Sequence, residues 1–125
     1  LVLSQSVLEH VFPLEGTIAK LAAIQSPTTR FLHLVDFGNH YPTSNPFTGL
    51  YDQPAEDYIA RRGKAINCLR TTDVARLFEQ AGIAARVIPS RRAQEGYRGT
   101  IDATWRKRYD DDALFTQLAL VASPA

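Results

Sequence analysis

Leu1-Val2-Leu3-Ser4-Gln5-Ser6-Val7-Leu8-Glu9-His10 opens the chain, and the reading of this stretch decides the fold. Three apolar residues, Leu1 to Leu3, give way to three small polar ones, Ser4 to Ser6. A short apolar run stopped by a polar turn is the pattern of a buried parallel strand reaching the edge of its sheet. In open α/β sheets, ligands bind just outside the carboxyl ends of the strands. Ser4 to His10 is therefore expected on a functional rim, with the remaining chain as its support.

Working outward, Pro13 and Glu15 suit the first turn of a helix, where a missing amide and a negative charge are both tolerated. Leu14, Ile18, Leu21 and Ala22 fall on one apolar face, and Pro27 ends the helix near Gln25. Arg30 to Asp36 reads as a second, nearly continuous apolar strand with His33 inside it as a neutral, locally hydrogen-bonded histidine. Asp36-Phe37-Gly38-Asn39-His40-Tyr41 then forms a second rim on the same edge as the first. The region from about 38 to 68 is rich in Pro, Gly, Asn and Tyr. It reads as a substrate-side insert of the lid or binding-loop kind, with a helix over 55–62.

Arg70 to Gly82 is the clearest helix, with Thr72 as the expected cap, Val74, Leu77, Phe78 and Ala81 inward, and Gly82 at its left-handed end. Strands are expected at 83–89 and 114–122, and a short helix over 100–109.

Val7-Leu8-Glu9-His10-Val11 resembles the segment that ends the fourth strand of class I S-adenosylmethionine-dependent methyltransferases. Leu77-Phe78-Glu79-Gln80-Ala81-Gly82-Ile83 is similar to the last helix-strand unit of that fold, and Asp36 to Leu50 resembles a bacterial small-molecule subgroup. The resemblance covers the C-terminal half of the fold. No Gly-x-Gly-x-x-Gly occurs among the seven scattered glycines. It implies an α/β domain over 1–125, a three-layer Rossmann-like sheet that is mostly parallel with an antiparallel last strand. It also implies methyl transfer from S-adenosylmethionine to a small-molecule acceptor, as part of a larger or paired chain. The expected partner is a missing N-terminal half or a homodimer copy.

By the same resemblance, Ser4, Gln5 and Ser6 line the methionine side of the cofactor, and His10 faces the acceptor; as histidines on the rim, His10 and His40 are the first and second candidate bases. From their chemistry and position, Asp36 is a candidate to bind an acceptor hydroxyl or ammonium, and Tyr41 and Tyr51 are candidates to wall the acceptor pocket. Structural alternatives stand beside these roles: His10 can begin a helix, and the aromatic residues can pack the insert. Relatives that hold a divalent ion use Glu-x-x-Glu-His. Here Ser6 replaces the first acid, leaving Glu9 and His10, and no metal is expected from two ligands. The reading from a different class is a non-catalytic methyltransferase-like interaction or regulatory module.

Composition sets outer bounds. Hydrophobic residues make up 45% and charged residues 22%, as in ordinary globular domains. Fourteen Lys and Arg against thirteen Asp and Glu give a net charge of +1, which points away from nucleic acid as a partner. The basic Arg106-Lys107-Arg108 is followed by Asp110-Asp111-Asp112, a self-neutralising surface. No apolar run approaches the ~20 residues of a membrane span. The single cysteine, Cys68, and the absence of a signal-like leader make a cytoplasmic location the expectation, with Cys68 inert.

Overall fold

The computed structural model describes residues 1–124. Its sheet is built from β1 (Val2–Gln5), β2 (Phe31–Asp36), β3 (Arg86–Arg92) and β4 (Thr116–Ala122), in the spatial order β1-β2-β4-β3. β1 and β2 pair in parallel, while β4 lies antiparallel to both β2 and β3. The sheet is thus open and mixed. One of its three pairings is parallel, so the expectation of mostly parallel pairing is corrected, while the last strand does run antiparallel between its neighbours.

A 3-10 turn (Leu8–His10) and helix α1 (Leu14–Ile24) make the crossover between the parallel pair. Alternation along β2 sends Phe31, His33 and Val35 inward and leaves Leu32, Leu34 and Asp36 on the other side. α1 and α3 (Thr71–Gln80) cover the inward side, where Ile18 and Phe78 pack against Phe31, Val35 and Val121. On the opposite side Leu3 is 64% exposed, Leu32 41% and Ile88 43%. A third layer is therefore not seen over this face among the described residues.

The insert has a core of its own. Phe47, Tyr51 and Tyr58 from the insert pack with Trp105, Leu114 and Phe115, and α2 (Ala55–Arg62) has the bounds its sequence implies. Arg70 is fully buried beneath this cluster. Its Nη1 donates to the Phe37 carbonyl at 2.8 Å and to the Tyr51 hydroxyl at 3.0 Å, and its guanidinium faces the rings of Phe37, Tyr51 and Trp105. A buried cation is tolerable when carbonyls and ring faces replace water around it.

Several boundaries move. α3 begins one residue before the expected Thr72 cap, because the Asp73 carboxylate accepts from the Arg70 amide at 2.9 Å and closes the first turn from inside. Gly82 does take a positive φ of 74°. The chain then needs Ile83 in the core, its amide bonded back to Phe78, so β3 starts at Arg86 rather than residue 83. A register shift between Pro89 and Arg91 carries that strand on to Arg92.

The expected helix over 100–109 is α4 (Ala103–Arg108), and a separate turn, α5 (Asp111–Phe115), follows. Asp110 caps α5 by accepting from the Ala113 amide at 2.9 Å. Leu114 and Phe115 are thereby helical, and β4 begins at Thr116 rather than 114. The charge neutralisation is direct: Arg106 pairs with Asp111, and Arg92 with Asp112.

Candidate functional site

The carboxyl ends of β1 and β2 lie side by side because the two strands are parallel, with Gln5 opposite Leu34. The turns that leave them meet. Ser6 (φ 52°) turns the chain out of β1, and His40 (φ 62°) sits where the chain leaves β2. A left-handed backbone at a non-glycine residue is uncommon, and such positions concentrate where geometry is functionally imposed.

Glu9, His10 and His40 converge at this meeting point. The Glu9 side chain is only 3% exposed, and neither carboxylate oxygen has a hydrogen-bond partner among the described residues. Oε1 of Glu9 lies 3.7 Å from Nε2 of His40 and 4.0 Å from Nε2 of His10. The two imidazoles meet edge to face, with centroids 4.7 Å apart and planes at 77°. Burial pushes the Glu9 carboxyl above the usual carboxylate range, while the nearby main chain and the two imidazoles pull the other way.

Each member is held by a separate element. The carbonyl of Glu9 accepts from the Asn67 amide at 2.7 Å, and the Asn67 side chain donates to the carbonyls of Leu8 and Val11. His10 Nδ1 lies 2.5 Å from the Ala65 carbonyl. A carbonyl only accepts, so Nδ1 carries the proton and Nε2 is left as the basic nitrogen. His40 Nε2 lies 3.3 Å from the Asp36 carbonyl and 3.9 Å from Asp36 Oδ2. Asn39, buried beside it, fixes the loop by accepting from the Tyr41 amide at 3.0 Å and donating to Thr48.

Gly38 has a steric reason: a Cβ there would stand 3.0 Å from Cβ of Pro46 and 3.1 Å from Oδ1 of Asp36. Beside His40 is a shallow hollow of about 260 Å³, with Asp36, Asn39, Tyr41 and Gln117 in its wall.

The residues expected at the site separate into groups. His10, His40 and Asp36 come together, and Tyr41 borders them, exposed, with the Arg62 guanidinium 4.4 Å above its ring. Gln5 and Ser6 are exposed at the end of β1, their side chains without partners among the described residues. Ser4 is half-buried and tied at 2.7 Å to Nδ1 of His33, which is buried between Phe31 and Phe78. Tyr51 is in the aromatic core, fully buried, its hydroxyl bonded to the Leu114 carbonyl. A ligand at the rim does not reach it. Cys68 is buried, and burial pushes its thiol up to about 11, as an inert cysteine should be.

Two residues of the site escape a reading by motif. Glu9 reads as one of a pair with His10, whereas the fold makes it the buried centre of three groups. Asn67 has no local signal except its place before the left-handed Cys68. Among the described residues, Glu9, His10 and His40 bring donor atoms within 4.8 Å of one another and so can share one ion.

No family model, no curated protein and no solved structure matches this chain.

Proposed function

We propose that the chain is the acceptor-side, C-terminal half of a Rossmann-like class I methyltransferase, transferring a methyl group from S-adenosylmethionine to a small molecule. The observation that carries this reading is the convergence of two histidines on a buried glutamate at the carboxyl ends of two parallel strands. The Val-Leu-Glu-His-Val resemblance and the antiparallel placement of β4 support it.

S-adenosylmethionine supplies, when bound, a methyl group already activated by a cationic sulfur. Gln5 and Ser6 fit its methionine end, since their polar groups are exposed and uncommitted. Ser4 fits less well, because its hydroxyl is committed to His33. The acceptor occupies the hollow beside His40, oriented by Asp36 and Tyr41. Nε2 of His10 takes the proton the acceptor gives up as its oxygen or nitrogen gains the methyl group. Glu9 stabilises the imidazolium that results, in the manner of a buried acid behind a catalytic histidine. Positioning supplies most of the remaining rate, because the methyl carbon needs only alignment with its acceptor.

One observation favours the second reading, a non-catalytic methyltransferase-like interaction module. The outer edge of β1 and the face bearing Leu3, Leu32 and Ile88 are open, as they are in a domain that pairs with another polypeptide. Calorimetric titration with S-adenosylhomocysteine, with and without a polypeptide carrying the glycine-rich half of this fold, separates the two. Binding in the combined sample supports methyl transfer. No heat in either sample leaves the interaction module.

A further inference from the structure

We propose that Glu9, His10 and His40 form a binding site for one divalent transition-metal ion of the zinc, cobalt or manganese kind. The inference rests on the donor set alone; with an ion bound, Nε2 of His10 is a ligand, and the proton-accepting role proposed for it belongs to the ion-free chain.

The central observation is the carboxylate of Glu9. It is almost fully buried, with both oxygens unpartnered and one of them facing two imidazole nitrogens. A carboxylate without hydrogen bonds is costly to bury, and imidazole nitrogens at 3.7 and 4.0 Å are too distant to bond it. A cation held between the three groups satisfies it. Ligand atoms on one ion with bonds of about 2.0–2.2 Å stand roughly 3.0–3.5 Å apart. The separations here close to that range by small rotations of exposed imidazoles.

The supporting contacts are those a metal ligand uses. His10 gives its other ring nitrogen to the Ala65 carbonyl, which fixes the ring and leaves Nε2 free to coordinate. Glu9 is braced through its own carbonyl by Asn67. Nε2 of His40 makes only longer contacts, 3.3 Å to the Asp36 carbonyl and 3.9 Å to Asp36 Oδ2, and exchanges them for the ion as the ring proton passes to Nδ1.

Two imidazoles and one carboxylate suit borderline ions rather than magnesium or calcium, which prefer all-oxygen shells. Three protein ligands also leave at least one position open, as in catalytic rather than structural zinc sites. Of the three ligands, His40 also lines the hollow that Asp36 and Gln117 border.

The test is titration of the metal-stripped chain with Co²⁺, read from its visible absorption, followed by displacement with Zn²⁺. One ion per chain is expected, with affinity weakened about tenfold or more in Glu9→Gln and in His40→Asn. Asparagine tolerates the left-handed backbone at residue 40, so His40→Asn keeps the loop while removing the ligand. Circular dichroism of both variants checks that they remain folded. Absence of binding, or binding that both folded variants retain unchanged, overturns the proposal. Neither readout involves the methyl donor, so a failed S-adenosylhomocysteine titration leaves this result intact.

Discussion

The main-chain amide of Asn67 donates to the carbonyl of Glu9 at 2.7 Å, and so joins the end of the insert to the turn that carries the acid and His10. The Asn67 side chain adds donors to Leu8 and Val11 at 2.8 and 3.1 Å and accepts from the Leu69 amide at 3.1 Å. One residue thus fixes both sides of the site. Asn67→Ala removes three side-chain bonds and takes their partner from the Val11 carbonyl and the Leu69 amide, while the Leu8 carbonyl keeps the Val11 amide. A loss of about 2 kcal/mol is expected, at about 0.5–1.5 kcal/mol per bond before the orphaned groups are counted. Urea denaturation measures it. Co²⁺ affinity should fall as well, although no ligand has changed, and an unaltered affinity would show that the turn holds its shape without Asn67.

Arg70 is the second anchor, and here shape matters as much as charge. Its planar guanidinium bonds the Phe37 carbonyl and the Tyr51 hydroxyl while lying against aromatic faces. Lysine offers neither the fork nor the flat surface. Arg70→Lys is therefore expected to cost about 2–3 kcal/mol, and Arg70→Ala about 3–5 kcal/mol through the cavity and the unpaired carbonyl. Thermal and urea melts rank the two. A lysine variant as stable as wild type would reduce the role of Arg70 to its charge.

His33 makes stability depend on pH in a defined direction. Burial holds its pKa below the ordinary value of 6.5, with Ser4 bonded to Nδ1 and Nε2 left without a partner. The unfolded chain takes up a proton near pH 6.5 that the folded chain refuses. Stability from this residue is complete above that pH and is lost as pH falls below it toward the depressed folded value. Between pH 7.5 and 5.5 stability is expected to fall more steeply than in His33→Leu. Parallel slopes for the two proteins would mean that His33 is protonated in the fold.

The Cys68 thiol, raised to about 11, should be roughly one-thousandth thiolate at pH 8. Reaction with an aromatic disulfide reagent is expected to be about a hundredfold slower than for free cysteine, and to become fast in urea. Rapid labelling of the folded chain would place this segment in frequent local opening.

Local pattern carried much of this architecture. The apolar spacing of Leu14, Ile18 and Leu21 marks α1, the Pro54 to Gly63 interval marks α2, and two strand ends rich in Ser, Asp and His mark the rim. What local pattern does not carry is partnership across the chain. Asp110 reads as one of three acids balancing Arg106 to Arg108, yet it caps a single helical turn that delays β4 by two residues. Tyr51 reads as a pocket wall until Leu114 and Arg70 close over it. Glu9 reads as one of a pair with His10 until the insert folds back through Asn67 and buries it.

Glu9 is also where stability and the site should conflict. A buried carboxylate without hydrogen bonds costs free energy that its uncharged isostere avoids. Glu9→Gln is therefore expected to make the metal-free chain more stable, by about 1 kcal/mol, while weakening the ion site. The melting temperatures of both proteins, with and without Zn²⁺, form the check. Zinc should raise the wild-type value, because an ion that binds only the folded state stabilises it, and should raise that of the variant less at the same concentration. A variant less stable than metal-free wild type would mean that His10 or His40 already satisfies the carboxylate as an ion pair. The acid would then be a structural partner of the imidazoles, and the strain read from its unpartnered oxygens would not exist.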